Sequence, residues 1–347
     1  MTLLDAPFTF TLLESQIATA PAEERGSGRD DVRMMVANRS SGILVDDHFP
    51  NLGSYLRPGD ALVVNTSATI PAAIDVIAED GAPLKVHFAG PAAGGLWQVE
   101  VRAIQPSGGT EPGPDFTPQS LRMPGVATLQ LLARSPRTPR LWVAAFDGAE
   151  ELLDYLARHG HPVRYGTGAD WPLEARQTVF ATHPGSAEMP SAARPFTAKM
   201  VTSLISSGIV VVPVLLHAGV SSYETGEAPG EERFEVSPSS AAVMNSVRSS
   251  GGRLIAVGTT VVRALETVAD DLGLLHPGRG VTDLVITPAR PTRAVDGLLT
   301  GWHEPRSSHL ELLESLLPRP LLRDVYDEAV TRHYLWHEFG DLLLVLP

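Results

Sequence analysis

From Ala149 to the C-terminus, runs with helical spacing of apolar residues alternate with short apolar runs, and this alternation constrains the fold more than any other feature of the sequence. "AEELLDYLARHG" has the helical spacing, and "FTAKMVTSLISSGIVVVPVLLHAG" reads as helix then strand, with Thr197 placed to cap the helix. "SPSSAAVMNSVRSSGGRLIAVG" repeats that order with Gly251 and Gly252 between the elements, and "TTVVRALETVADDLG" and "TDLVITP" continue it. Repeated crossover units imply a largely parallel sheet with helices packed on it.

The texture upstream is different. "VRMMVANRSSGILVDDHF" predicts a hairpin about the polar Asn38 to Gly42 connection, and "LRPGDALVVNTSATIPA" a Pro-Gly turn followed by a strand over Ala61 to Asn65. From about Ala73 to Phe146 the runs "LKVHFAG", "GLWQVEVRAI", "ATLQLLARS" and "RLWVAAF" are strand-like and separated by Gly and Pro clusters. The expected fold class is therefore α/β. A larger α/β domain with a mainly parallel sheet (1–72 plus 149–347) carries an inserted small all-β, barrel-like domain (73–148).

Composition narrows the chemistry. With 347 residues, 43% hydrophobic and 19% charged, the chain can bury a large core. The absence of cysteine removes disulfides, thiolate metal sites, cysteine nucleophiles and cysteine-held iron–sulfur clusters. No apolar run is long enough to span a membrane and the N-terminus lacks a basic signal flank, so a cytoplasmic location is expected. A formal net charge of -13 offers nucleic acid no general attraction, local basic patches aside.

"LIAVGTTVVRALE", Leu254 to Glu266, reads as a strand that breaks at Gly258 and opens a helix. Unpaired N–H groups at such a start would meet an anionic or hydroxyl-rich ligand, with Thr259, Thr260 and Arg263 at hand. The plainer alternative has Thr259 or Thr260 capping the helix and Arg263 paired with Glu266. There is no GxxxxGK[ST], no GxGxxG after a strand and no GxSxG. His217 directly follows an apolar strand, where ligand sites of parallel sheets lie. "HYLWHE" places His333 and His337 four apart on one expected helical face, without an evident third ligand, so no metal is expected. "VDGLLTGWHEPRSSHL" bunches Trp302, His303, Glu304, Arg306 and His309 in one loop before a helix.

"LRPGDALVVN", "IPA", "RQTVFA", "LLHAG", "RLIAVGTTVVRALE", "VDGLLTGWHEPRSS" and "FGDLLLV" occur in that order. Together they resemble the S-adenosylmethionine:tRNA ribosyltransferase-isomerase (QueA) family of queuosine biosynthesis over nearly the whole chain. The resemblance implies an α/β domain with an inserted β-barrel. It also implies that S-adenosylmethionine is a substrate whose ribosyl group passes to the 7-aminomethyl-7-deazaguanine base of tRNA and rearranges to an epoxycyclopentane. Adenine and methionine are released, and the sulfonium acidifies the C5′ hydrogens so that a base can begin the reaction.

The resemblance further assigns His217 and His303 as candidate acid or base, with Glu232 orienting a hydroxyl or the base. Gly258, Thr259, Thr260 and Arg263 would bind the cofactor's polar end, Arg263 meeting its carboxylate, and Trp302 would face the sulfonium. Arg194, Tyr223, Glu304 and Arg306 are the candidates for substrate contact.

The chain also departs from the family pattern. Thr66, Ser67 and Ala68 stand where the family has Asp, Thr and Arg. Ala193, Arg194 and Pro195 stand for Gly, Leu and His. Gly230 replaces a His ahead of the retained Glu232 and Glu235, and Gly301 replaces an Asn. Because these changes fall in expected substrate loops and the chain is acidic, the sequence favours rearrangement of free S-adenosylmethionine, or ribosyl transfer to a small molecule, over the tRNA reaction. A non-catalytic cofactor-binding relic ranks behind both.

Overall fold

The computed structural model describes residues 8–106, 109–113, 117–164, 169–220, 230–305 and 307–347. After a short helix α1 (Ala22–Arg25), strands β1 (Arg33–Asn38) and β2 (Leu44–His48) form the expected antiparallel hairpin. Next come β3 (Ala61–Asn65) and the brief β4 (Ser67–Thr69).

Apart from one 3-10 turn at Ala93–Gly95, the elements described in the following segment are strands: β5 (Ala73–Ile77), β6 (Pro83–Pro91), β7 (Trp97–Ile104), β8 (Thr110–Pro112), β9 (Ser120–Arg122), β10 (Thr128–Arg134) and β11 (Leu141–Asp147). All its pairings are antiparallel. Since β11 pairs with both β10 and β7, the sheet closes on itself, leaving β8 outside the ring. Closure removes the exposed edges that short strands would otherwise present. Ile74, Val86, Val99, Leu129 and Leu131 fill the interior.

Then follow α2 (Leu152–His159), β12 (His183–Ser186), which pairs parallel with β4, and α3 (Ala198–Ser206). The Thr197 hydroxyl accepts the Met200 N–H at 3.2 Å, the expected cap. The alternating half comprises β13 (Val210–Leu216), β14 (Glu232–Val236), α4 (Pro238–Ser249), β15 (Leu254–Val257), α5 (Thr259–Val268), β16 (Gly278–Thr282) and β17 (Gly297–Gly301). It ends with α6 (Ser308–Leu316), α7 (Arg319–Thr331) and β18 (Leu342–Leu346).

These strands and the N-terminal ones build a nine-stranded sheet in the order β16-β14-β13-β3-β15-β17-β18-β1-β2. The expected mainly parallel sheet is instead mixed, with four of its eight pairings parallel. The pairings β13–β3, β3–β15, β15–β17 and β18–β1 are parallel and the others antiparallel. The cause lies in the connections. Between β17 and β18, two helices in succession reverse the direction that one crossover helix would preserve.

Both faces of the centre are covered, which is why β3, β15 and β18 read as unbroken apolar runs. Ala61 and Val63 face a core with Met244, Val261, Leu265, Leu313 and Tyr326 from α4 to α7. Leu62 and Val64 face the other core, with Phe49, Leu52, Phe196 and Leu204. Each fully buried Val, Leu or Phe contributes about 1.5–3 kcal/mol, so the sheet centre is a rigid base for whatever its edge carries. No described helix is long and apolar enough to cross a membrane.

Candidate active site at the carboxyl ends of four parallel strands

Strands β13, β3, β15 and β17 lie side by side and run the same way, so their carboxyl ends share one edge. That edge gathers His217 after β13, Asn65 at the end of β3, Gly258 after β15, and Trp302 and His303 after β17. Open parallel sheets bind ligands just outside such an edge. Strands β13 and β17 are three inter-strand spacings apart, about 14 Å. His217 and His303 therefore stand toward opposite ends of this edge.

His217 is half-buried and fixed by hydroxyls. Its Nδ1 lies 2.7 Å from Ser67 Oγ, which lies 2.6 Å from Ser186 Oγ. Ser186 Oγ accepts the Ala218 N–H at 2.9 Å. Both serines are fully buried, so each hydroxyl hydrogen needs an acceptor. One arrangement supplies both: Ser186 donates to Ser67, and Ser67 donates to Nδ1. The neutral imidazole then carries its hydrogen on Nε2. Gly185 packs against the ring, where a Cβ would come within 2.6 Å of it. Burial is the main cause that lowers the His217 pKa, with His183 and Arg233 adding to it.

Asn65 ties three elements together. Its Nδ2 donates to Leu216 O at 2.8 Å and to Thr260 Oγ1 at 3.3 Å, while its Oδ1 accepts the N–H groups of Leu216 and Ser67. This fully buried amide joins the ends of β3 and β13 to the start of α5.

The start of α5 differs from the plainer sequence reading. Gly258, not a threonine, is the N-cap, at φ +97°, a conformation L side chains rarely adopt, and no side chain caps the helix. Arg263 does not pair with Glu266 either. Glu266 instead accepts the N–H groups of Arg293 and Ala294 at 2.9 Å. The first turn of α5 thus presents uncapped N–H groups at the edge, beside the Thr259 and Thr260 side chains.

Arg263 and Glu232 form a buried ion pair across α5 and β14. Arg263 also donates from Nε to Leu284 O at 3.1 Å and from Nη2 to Gly230 O at 3.0 Å, while Glu232 Oε1 accepts the Gly219 N–H at 3.1 Å. The pair grips the chain at Gly219 and Gly230. With all three guanidinium nitrogens engaged by protein atoms, Arg263 clamps the chain here, and Glu232 holds backbone beside it. Burial pushes its pKa up against the opposing pull of Arg263.

His303 Nε2 lies 2.9 Å from Thr300 Oγ1, and its carbonyl accepts the Trp336 indole N–H at 3.0 Å. Burial, with His309 adding to it, lowers its pKa well below the usual imidazole value. Trp302 is 4% exposed and packs on Tyr326, Tyr334 and Trp336 at centroid distances of 5.2, 5.4 and 5.3 Å. Its indole belongs to an aromatic core and offers no open face to a sulfonium, which corrects that expectation. Glu304 is exposed at the same edge.

Arg194 is 2% exposed, donates to both Glu23 carboxylate oxygens at 3.0 and 2.7 Å and to Ala175 O at 2.8 Å, and lies over the Phe339 ring. It faces neither an acceptor nor solvent. His333 and His337 follow the end of α7 with φ of 55° and 83°, so they share no helical face. Among the described residues no three His, Asp or Glu side chains are grouped to hold a metal ion. Tyr223 and Arg306 lie outside the described residues.

The sequence reading missed Ser186 and Gly185 as neighbours of His217, gave His309 no role beyond its place in the loop cluster, and took Ser67 only as a departure. A Gly-Ser pair in "THPGSAE" was the available signal, and only the parallel β4–β12 pairing brings it to His217.

Residues 6–345 match the family model described as queuosine biosynthesis protein. The S-adenosylmethionine:tRNA ribosyltransferase-isomerase of Symbiobacterium thermophilum is 34% identical over 348 residues, covering 98% of each chain. The protein of the same name from Moorella thermoacetica is 34% identical over 351 residues, again covering 98% of each. The crystal structure of the S-adenosylmethionine tRNA ribosyltransferase from Thermotoga maritima aligns with a TM-score of 0.55 at 26% identity, covering 98% of this chain and 100% of that one. This chain belongs to the queuosine biosynthesis protein family.

Proposed function

We propose that this protein is an S-adenosylmethionine-dependent ribosyltransferase-isomerase that acts on tRNA, the activity for which its full-length relatives are named. The observation that carries the reading is the four-strand edge, where two fixed imidazoles and an uncapped helix start are spaced for one extended ligand. Residues 73–148 are the inserted barrel, and 1–72 with 149–347 the unit that carries the site.

In this account the α5 N–H groups hold the methionine carboxylate, the role first assigned to Arg263. The sulfonium makes the C5′ hydrogens acidic, and His303, kept neutral by its burial, takes one of them. His217 presents Nε2–H and acts as a donor to a ribose oxygen or a leaving group. Glu232 and Arg263 fix the backbone beside it. Adenine and methionine leave, and the ribosyl carbons join the amine of the 7-deazaguanine base.

The preference for a free small-molecule acceptor loses its supports. Arg194, a candidate for substrate contact that the family pattern lacks, is sequestered by Glu23. Ser67 keeps a hydroxyl where the family has threonine, and that hydroxyl is in use. A net charge of -13 is a sum over the whole surface, whereas phosphate contacts are local. A catalytically silent relic would have no need of the Ser186–Ser67–His217 alignment.

The test incubates purified protein and S-adenosylmethionine with and without tRNA bearing 7-aminomethyl-7-deazaguanine, following adenine and methionine by chromatography. Release only with tRNA is expected. Release at the same rate without tRNA would return the small-molecule reading. His303→Ala is expected to lower turnover by about 10²-fold or more, the usual contribution of an acid–base group.

A further inference from the structure

The loop after β17 holds a second imidazole that the reaction above does not use. The His303 and His309 rings are stacked, with centroids 4.6 Å apart and planes 12° from parallel. His309 stands in the first turn of α6, where Ser307 Oγ accepts its backbone N–H at 3.3 Å and lies 3.1 Å from its Nδ1. Ser307 therefore holds both the backbone and the ring of His309 in place. On the other side, Thr300 holds His303 Nε2, and the His303 N–H points to Tyr326 Oη at 3.5 Å. Each ring is thus oriented by its own hydroxyl.

We propose that His309 is a positioning residue for His303: the stacked ring fixes its plane, and a positive charge on either imidazole opposes one on the other. This rests on His303 being the base of the reaction proposed above. Two imidazolium ions stacked at this distance repel, so the pair takes up protons in two coupled steps, not as independent groups.

The surroundings act in the same direction. From α5, the Arg263 charge reaches His309 and, after burial, helps bring its pKa down to about 4. From α7, the Tyr326 hydroxyl is neutral, its ionisation pushed up by burial. Glu304, between the two in sequence, is exposed. A charge on His309 holds the His303 pKa down.

The test is an imidazole NMR titration of the substrate-free protein in the wild type, His309→Leu and His309→Phe, together with the acid limb of kcat/KM in the same proteins. The Phe variant retains a stacked ring without a charge, and so guards against a Leu variant that fails to fold. Removing the charge is expected to raise the His303 pKa by about half a unit to one unit and to move the acid limb with it. A His303 pKa unchanged in a folded variant overturns the proposal, as does lost activity with an unmoved pH profile. If no variant and no wild type turns over tRNA, the functional reading fails, and the NMR titration still decides the coupling.

Discussion

Ser67 Oγ lies 2.7 Å from His217 Nδ1, and the Ser186 hydroxyl behind it leaves the pair one hydrogen-bonding arrangement that satisfies every buried hydroxyl. Ser67→Ala removes the donor that sets the tautomer. It is expected to lower kcat about 10- to 100-fold with little change in KM for S-adenosylmethionine, whereas Ser67→Thr retains activity. Steady-state kinetics of the two variants checks this, and equal losses in both would contradict the hydroxyl's role.

The Arg263–Glu232 pair makes an asymmetric prediction. Arg263→Ala strands a buried carboxylate and frees Leu284 O and Gly230 O, so unfolding in urea should show a loss of about 3–5 kcal/mol. Glu232→Gln leaves an amide oxygen for the Gly219 N–H and should be milder. Equal destabilisation by the two would argue against the clamp.

Arg194 is tied into the fold by Glu23 and Ala175 O. Glu23→Ala should lower stability by about 1–3 kcal/mol, toward the lower end because Glu23 is about one-third exposed. KM for both substrates should stay where it is. A rise in the tRNA KM without loss of stability would restore the acceptor role.

Much of the fold was legible because periodicity reports burial. The hairpin at Asn38 to Gly42, the strand Ala61 to Asn65, the Thr197 cap and the strand-rich stretch from Ala73 all stand where the residues place them. The sheet's mixed character was legible too, had the helices been counted: "HLELLESLLPRPLLRDVYDEAV" contains two helices broken at Pro318, and two helices reverse the next strand. The site was legible at its strand ends, His217, Gly258 and His303, since such ends are marked by where an apolar run stops. Partners were not. Nothing local in sequence connects Arg194 with Glu23, Arg263 with Glu232, or Ser67 with Ser186, because each pair is made by the packing of elements distant in the chain.

Stability should fall on the acid side of neutrality. Burial lowers the pKa of His303, His309, His217 and His337 below the ordinary 6.5, that of His309 to about 4. As the pH drops from 6.5 toward 4, the unfolded chain binds protons that the folded chain refuses. The contribution of these neutral rings is therefore complete above 6.5 and is lost as the folded values are approached. Each such histidine changes stability by up to about 1.4 kcal/mol per pH unit within its window. Urea midpoints at pH 7 and pH 5 should show a smaller acid loss in His309→Leu than in the wild type. Parallel losses would contradict the assignment.

In the proposed reaction the sheet edge takes one C5′ hydrogen from S-adenosylmethionine and delivers the ribosyl carbons to tRNA. S-adenosylmethionine deuterated at both C5′ positions, incubated with the protein and tRNA bearing 7-aminomethyl-7-deazaguanine, tests it directly by mass spectrometry of the nucleosides. The account predicts a modified nucleoside carrying one deuterium, the other lost to solvent, with one adenine and one methionine released per modification. Unmodified tRNA, with deuterium washed out of free S-adenosylmethionine or an isomer of it, would contradict it.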